Sequence, residues 1–302
     1  MTHQSKKLLL TGASGLLGRA IYKRFHREGW DILGTAFSRV GPGLVKLDLT
    51  DETAVESVWT EFKPTFVIHC AAQRFPDKVA ADPDTATKLN VDVTKHLAEF
   101  AVENSVPFLY ISTDYVFDGR SPPYSTEDQP NPVNLYGKTK LQGEEATRAA
   151  SQDHIILRVP VLYGPVETLS ESAVTVLLET LRNTTKFCKV SDYEKRCPSH
   201  VDDIAEICFQ LSSKKLKGEN VEGVYHWCGK EMFTKYTMIL YMADVFNLPH
   251  KHITADPEPP AKGGTPRPYD TRLDTSRLQK LGVVAHTPFK DGIHSALQPW
   301  IG

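Results

Sequence analysis

The sequence predicts an α/β protein whose core is a parallel, doubly wound sheet with helices on both faces. Short apolar segments alternate with amphipathic segments of helical spacing from the N-terminus to about residue 160. Glycines at three-residue spacing join the first apolar segment to the first amphipathic one. Such alternation is typical of parallel sheets, because each strand must be linked to the next by a helix that crosses one face.

The first predicted elements are a short strand of three leucines, a glycine turn and a helix over about residues 15–27. Gly12, Gly15 and Gly18 form the pattern GxxGxxG, one residue longer at its first gap than the fingerprint GxGxxG. We predict that Gly12 makes the tight turn, Gly15 lets the backbone approach a pyrophosphate, and Gly18 lets the helix lie against the strand. The positive end of the helix dipole would complete an anion site.

The end of the second predicted strand, residues 31–36, indicates which dinucleotide would bind. In dinucleotide folds an acidic residue at this place binds the ribose 2′-OH, but here the chain continues as Phe37, Ser38 and Arg39 without a carboxylate. A guanidinium there favours the 2′-phosphate of NADP, so we predict NADP rather than NAD. The alternative is that Arg39 points to water.

Two further strand ends would complete the cofactor side. Asp48 and Leu49 follow the third strand, where an adenine ring packs, and Ala71 follows the fourth, where a small side chain lets backbone come close to a cofactor. Ligands of such sheets bind at the carboxyl ends of the strands, so these residues are candidates for contact. The remaining strands are predicted at 44–47, 66–70, 107–112 and 153–160, and helices at 51–62 and 85–104.

A hydroxyl, a phenol and an ammonium group follow the fifth strand. Tyr136 and Lys140 lie four positions apart on a helix that begins near Asn134, so both side chains are on one helix face. The ammonium would lower the pKa of Tyr136 from about 10 towards neutrality and make the phenol a usable proton donor or acceptor. Thr113 would hold a substrate carbonyl. The alternative for the tyrosine and lysine is an ordinary surface pair.

After about residue 165 the pattern is less regular and predicts a smaller C-terminal α/β lobe for a substrate or a partner. We expect a Rossmann-like domain over residues 1–165, with returning elements near 200–228, interleaved with a lobe over residues 166–302. His200 either touches a ligand or is structural, and the proline-rich loop over residues 256–268 either borders the substrate cleft or is a linker. Further predicted elements are helices at 170–183 and 233–246 and a strand at 223–227.

The composition narrows the classes of function. A net charge of −2 argues against a broad electrostatic contact with nucleic acid or with an anionic membrane. The five cysteines are odd in number and lack a CxxC pair, which suits a reducing compartment, and no apolar segment is long enough to cross a membrane. We therefore expect a cytoplasmic protein. His250 and His252 match no zinc spacing, so we predict no metal site.

Three segments together resemble the extended short-chain dehydrogenase/reductase family: the glycine turn at 11–18 and the segments 112–119 and 136–140. Within that family the last two segments are similar to those of the dTDP-4-dehydrorhamnose reductases. Other features bring the chain closer to the regulatory β subunits of methionine adenosyltransferase, non-catalytic relatives of those reductases. Among these features are the segments 69–72, 171–176, 225–227, 234–236, 246–249 and 287–289.

The resemblance implies NADP binding and leaves three functions open. A regulatory subunit would bind the catalytic subunit of methionine adenosyltransferase in a hetero-oligomer and modulate S-adenosylmethionine synthesis. A reductase would pass hydride from NADPH to a 4-keto sugar nucleotide, with Tyr136 as proton donor, Lys140 tuning it and Thr113 orienting the carbonyl. The third alternative is a freestanding NADP-binding sensor. Ser38 departs from the family pattern, because a second arginine is common there.

The candidate cofactor contacts come from the motifs and from this resemblance. They are Gly12, Ser14, Gly15, Leu16, Leu17, Gly18, Phe37, Ser38, Arg39, Asp48, Leu49, Cys70, Ala71, Arg74, Tyr136, Lys140 and Leu162. The candidate catalytic residues are Thr113, Tyr136 and Lys140.

Overall fold

The computed structural model describes residues 6–261 and 263–301. The strands are β1 Lys7–Thr11, β2 Asp31–Ala36, β3 Leu44–Lys46, β4 Phe66–His69, β5 Phe108–Thr113, β6 Ile155–Val159, β7 Leu162–Tyr163, β8 Cys188–Ser191, β9 Ser199–His200, β10 Gly223–His226 and β11 Ile253–Asp256. The helices are α1 Leu16–Arg27, α2 Glu52–Phe62, α3 Pro76–Ala81, α4 Pro83–Thr87, α5 Val93–Glu103, α6 Leu135–Ala150, α7 Leu177–Arg182, α8 Val201–Leu216, α9 Lys235–Phe246, α10 Ser276–Lys280 and α11 Phe289–Leu297.

Seven strands form one parallel sheet in the order β10-β6-β5-β4-β1-β2-β3. The chain starts in the middle at β1, moves outward to β3 on one side, and returns to build β4, β5, β6 and β10 on the other. This reversal of direction is the switch point of a doubly wound sheet, where a crevice opens at the carboxyl ends of the strands. The predicted fold class is therefore confirmed.

Apolar side chains cover both faces of this sheet. On one face the side chains of Leu8 and Leu10 from β1 pack with those of α1 and α8. On the other face Leu9 packs with side chains of α2 and α5, including Trp59 and Leu97. Successive side chains of a strand point to opposite faces, so a strand of three leucines can join two cores only if helices cover both faces.

A further apolar core lies in the C-terminal half of the chain. It joins α7, α9 and α11 to the two-stranded parallel sheet of β8 and β11, with Leu178, Ile239 and Phe289 almost fully buried. Elements of this half also return to the large sheet, since β10 pairs with β6 and α8 packs against α1. The division of the chain at residue 165 stays a prediction.

Two predicted helices differ from the structure. The helix predicted over residues 170–183 is limited to α7, preceded by a 3-10 turn at Leu169–Glu171. The hydroxyls of Ser172 and Thr175 donate hydrogen bonds to the backbone carbonyls of residues 162 and 169, at 2.6 and 2.7 Å, and such bonds compete with a regular helix.

The helix predicted over residues 85–104 is interrupted by a π-helical turn, Lys88–Asp92. The buried side chain of Asn90 bonds to both backbone groups of Gln73 and to the Thr139 hydroxyl. A π-helical turn contains one residue more than an α-helical turn. We attribute this wider turn to the bonds of the Asn90 amide, which reaches the loop after β4. Within the part of the chain that the structure describes, no helix has both the length and the apolar character needed to cross a membrane.

Candidate functional site

The turn between β1 and α1 has a backbone that only glycine fits at two positions. Gly12 has a φ of 68°, and a Cβ there would lie 2.8 Å from the backbone nitrogen of Ala71. A Cβ on Gly18 would lie 2.2 Å from the Gly12 carbonyl oxygen. The predicted structural roles of Gly12 and Gly18 are confirmed, because the turn is tight and α1 lies directly against it.

The first turn of α1 is open to a ligand. Gly15 is the N-cap and no side chain caps the helix, so the backbone N–H groups of its first turn lack the side-chain acceptor that often satisfies them. Leu16, Leu17 and Gly18 line the cavity that begins at this point. Uncapped N–H groups at the positive end of a helix dipole favour an anion.

A cavity of about 860 Å³ lies at the carboxyl ends of the large sheet. Every residue predicted as a cofactor contact or as a catalytic group lines it, although these residues come from seven separate segments of the chain. The lining includes Gly12, Ser14, Gly15, Leu16, Leu17, Gly18, Phe37, Ser38, Arg39, Asp48, Leu49, Cys70, Ala71, Arg74, Thr113, Tyr136, Lys140 and Leu162. The structure thus brings the candidates together, and their binding roles stay predictions.

Arg39 contacts carboxylates rather than only water. Its Nη1 atom donates to Glu171 Oε1 at 2.7 Å and to Glu167 Oε2 at 3.0 Å. Glu171 also forms a bidentate ion pair with Arg19 of α1, at 2.8 and 2.6 Å. These arginines hold the pKa of the Glu171 carboxyl down at about 2 although burial of the group opposes this. The Glu171 carboxylate is therefore a counter-ion for both Arg19 and Arg39.

Tyr136 and Lys140 are both in the cavity wall, which excludes the surface-pair interpretation. Lys140 is 3% exposed, and its Nζ atom donates to the Ile111 carbonyl oxygen at 2.7 Å and lies 4.0 Å from the centre of the Tyr110 ring. Burial lowers the pKa of Lys140 to about 7. The ammonium group is thus held by the end of β5.

The predicted effect of Lys140 on its neighbour is wrong. Burial raises the pKa of Tyr136 to about 12, hydrogen bonding with Thr113 opposes the rise, and the charge of Asp114 adds to it. Lys140 is not among the groups with the largest effect on this pKa, and its Nζ atom donates to the Ile111 carbonyl oxygen of β5. The i, i+4 spacing correctly puts both residues in one wall, but the spacing alone does not decide where a long side chain ends.

A buried charged network supports this wall from behind. Glu144 of α6 accepts from Arg158 Nη2 at 2.6 Å and from the Ser112 hydroxyl at 2.5 Å, and both charged side chains are at most 1% exposed. Arg158 also bonds to His226 at 3.1 Å, and burial lowers the pKa of that histidine to about 3. The network ties α6, which carries Tyr136, to three strands of the sheet.

The positions of His200 and of the proline-rich loop decide between the alternatives left open for them. His200 caps α8, accepting from the Asp202 backbone N–H at 3.3 Å, and it is not among the cavity-lining residues, so it is structural. The loop over residues 256–268 borders the cavity through its described residue Arg267, which lines the cavity and pairs with Asp77 of α3 at 2.9 Å.

Known proteins share this architecture along the whole chain. The family model described as the RmlD substrate binding domain matches residues 6–301. A methionine adenosyltransferase 2 subunit beta from Xenopus laevis is 45% identical over 301 residues, which are 100% of this chain and 90% of that protein. A dTDP-4-dehydrorhamnose reductase from Aggregatibacter actinomycetemcomitans is 32% identical over 91% of this chain and 92% of its own length.

The chain belongs to the RmlD family. Its predicted resemblance to methionine adenosyltransferase β subunits, and more distantly to dTDP-4-dehydrorhamnose reductases, is confirmed by these relatives. The fold agrees as well. The crystal structure of a dTDP-4-dehydrorhamnose reductase from Clostridium acetobutylicum matches with a TM-score of 0.84 at 28% identity, covering 97% of this chain and 99% of that one.

Several residues of this RmlD-family cavity escaped prediction from sequence. Arg196, Lys235 and Arg267 add three basic side chains from the C-terminal half, and Glu194 adds an acidic one. Glu171 and Lys235 were noted only as parts of resembling segments. None of these residues follows a strand of the large sheet, so the rule that led to the other candidates could not find them.

Proposed function

We propose that this chain is an NADP-binding, non-catalytic regulatory subunit of methionine adenosyltransferase, which binds the catalytic subunit and modulates S-adenosylmethionine synthesis. The observation that carries the proposal is the 45% identity, over the entire chain, to a protein named methionine adenosyltransferase 2 subunit beta. The relative at 32% identity, named a reductase, is the more distant of the two.

The cofactor part of the proposal is supported by the shape and charge of the cavity. The close backbone packing at Gly12 and Gly18 holds the turn tightly against α1, and the uncapped first turn of that helix lines the cavity. A pyrophosphate suits such an uncapped helix N-terminus. Arg39 has a second guanidinium nitrogen for a 2′-phosphate, because both of its ion pairs use Nη1. NADP would supply hydride chemistry only if a substrate were also bound.

The state of Tyr136 is compatible with a binding role. A general acid works best when its pKa lies near the working pH, whereas burial raises the pKa of this phenol to about 12. Lys140 donates one hydrogen bond to the Ile111 carbonyl oxygen, which leaves its other N–H groups for a ligand. Both side chains remain suitable for hydrogen bonds to a nucleotide ribose.

The alternative function is NADPH-dependent reduction of dTDP-4-dehydrorhamnose. Its support is that Thr113, Tyr136 and Lys140 line one cavity together with basic residues of the C-terminal half. In that case Tyr136 would give its proton to the carbonyl oxygen of the substrate, and Thr113 would orient the carbonyl.

Two measurements on the purified protein separate these functions. For the regulatory function we expect co-elution with the methionine adenosyltransferase catalytic subunit, a change in that enzyme's kinetics, and no NADPH consumption with dTDP-4-dehydrorhamnose. NADPH oxidation that is lost in Tyr136→Phe would instead establish the reductase. A protein that does neither but binds NADP would be a freestanding sensor.

The cofactor preference is tested with Arg39→Ala. We expect NADP affinity to fall roughly 10- to 100-fold, the value of a charge-assisted hydrogen bond pair, while NAD affinity changes less than about twofold. Lys46→Ala is the matched control, since this exposed lysine on β3 is outside the cavity lining. Equal losses for both dinucleotides in isothermal titration calorimetry would contradict a 2′-phosphate role for Arg39.

A further inference from the structure

Glu171 joins the C-terminal half of the chain to three arginines of the cofactor side. Its carboxylate binds Arg19 of α1 and Arg39 after β2, and its backbone carbonyl oxygen accepts from Arg74 Nη2, after β4, at 2.7 Å. The residue is 6% exposed. Glu171 therefore lies where the first turn of α1 and the chain after β2 and after β4 come together.

Both oxygens of this carboxylate are fully used. Oε1 accepts from Arg19 Nη1 and Arg39 Nη1, while Oε2 accepts from Arg19 Nη2 and from the Glu167 backbone N–H at 3.0 Å. An anion held by four donors, three of them on guanidinium groups, is a strong local counter-ion. Its charge is present throughout the neutral pH range.

We propose that Glu171 is a specificity-determining residue for the dinucleotide, because its carboxylate competes with the ribose 2′-phosphate of NADP for the charge of Arg39. The inference rests on the proposed NADP binding and adds to it a residue that lowers the preference for NADP over NAD. Glu171 acts from a different part of the chain than the strand end that carries Arg39, so the selectivity depends on how the two halves pack.

The direction of the effect follows from the charges around Arg39. Glu167 and Glu171 place two carboxylates within 3.0 Å of its Nη1 atom, so part of the positive charge offered to a phosphate is offset. NAD lacks the 2′-phosphate and is affected only by changes in the shape of the site. The ratio of NAD to NADP dissociation constants therefore isolates the charge effect from any loosening of the cleft.

The experiment compares NADP and NAD dissociation constants for wild type, Glu171→Gln and Glu145→Gln by isothermal titration calorimetry. We expect Glu171→Gln to raise the NAD/NADP ratio of dissociation constants roughly three- to tenfold, the effect of one screened unit charge. Glu145→Gln makes the same charge change on an exposed residue of α6 outside the cavity lining, and should leave the ratio unchanged.

A second pair of variants tests whether Glu171 acts through Arg39. In an Arg39→Ala background, adding Glu171→Gln should no longer raise the ratio, because the shared guanidinium is gone. Thermal melting of each variant establishes that it is folded at the titration temperature.

The outcomes distinguish this inference from the proposed function. A ratio that stays the same or falls in Glu171→Gln, or a rise that persists in the Arg39→Ala background, overturns the role of Glu171 while wild-type NADP binding stands. Wild-type protein that binds neither dinucleotide overturns the cofactor proposal and this inference with it.

Discussion

Replacing Glu144 with glutamine leaves the guanidinium of Arg158 charged and without a counter-ion in the interior. The two side chains are joined at 2.6 Å and neither is more than 1% exposed. Glutamine keeps the size of the side chain and one acceptor, so Ser112 can still donate to it. Its NH2 group, however, would face a guanidinium that also has only donors.

The expected cost follows from this burial. Removing one partner of a buried ion pair destabilises a protein by about 3–5 kcal/mol, because the remaining charge is desolvated without compensation. In a chain of this length each kcal/mol lowers the melting temperature by roughly 2 °C, so Glu144→Gln should melt about 6–10 °C below wild type.

Differential scanning calorimetry at neutral pH provides the test, and Glu145→Gln provides the control. Glu145 is the next residue of the same helix and is exposed, so its replacement should shift melting by less than about 1 °C. Adding Arg158→Met to Glu144→Gln removes the stranded charge and should recover part of the loss. Equal, small shifts in the two single glutamine variants would refute the reasoning.

Three further predictions concern the cavity. Gly18→Ala should abolish measurable dinucleotide binding in calorimetry, since its Cβ would lie 2.2 Å from the Gly12 carbonyl oxygen, whereas Gly41→Ala, with no atom within 4 Å of its Cβ, should bind normally. The pKa of Glu171 in the folded protein, about 2, lies below its ordinary value. The stabilisation of the fold by this carboxylate is therefore complete above pH 4.5 and is lost towards pH 2. Urea unfolding should therefore show the advantage of wild type over Glu171→Gln shrinking across that interval, and a constant difference would contradict it. Burial lowers the pKa of Lys140 from 10.5 to about 7. Between these two pH values the lysine carries a proton in the unfolded chain but not in the folded one. The unfolding free energy of wild type should therefore rise relative to that of Lys140→Met from about pH 7 to pH 10.5. A pH-independent difference between those two proteins would contradict the burial of this ammonium.

The large sheet could be predicted because its elements are specified by local sequence. The leucines of β1, the glycine turn and the apolar face of α1 each occupy a short segment, and alternation of such segments permits few topologies. The strand ends could be predicted as site residues for the same reason. Gly12 and Arg39 are close in space because parallel strands all end at one edge.

The helix predictions failed where side chains bond to distant backbone. Asn90 turns a regular helix into a π-helical turn through its bonds to Gln73, and Ser172 bonds to the Leu162 carbonyl oxygen instead of joining a helix. Neither partner lies within the segment being predicted. The spacing of apolar residues reflects only positions that are near in sequence, so it could not predict these contacts.

The chain by itself determined a doubly wound sheet, a tight glycine turn before α1 and the set of strand ends that meet there. Only the tertiary structure decided the charges around them. Glu171 lies 132 residues from Arg39 and 152 from Arg19 along the chain, yet its carboxylate binds both. Lys140 donates to the β5 backbone, and burial sets the direction in which the pKa of Tyr136 moves. Electrostatic interactions depend on distance and burial in space, which spacing along the chain does not contain.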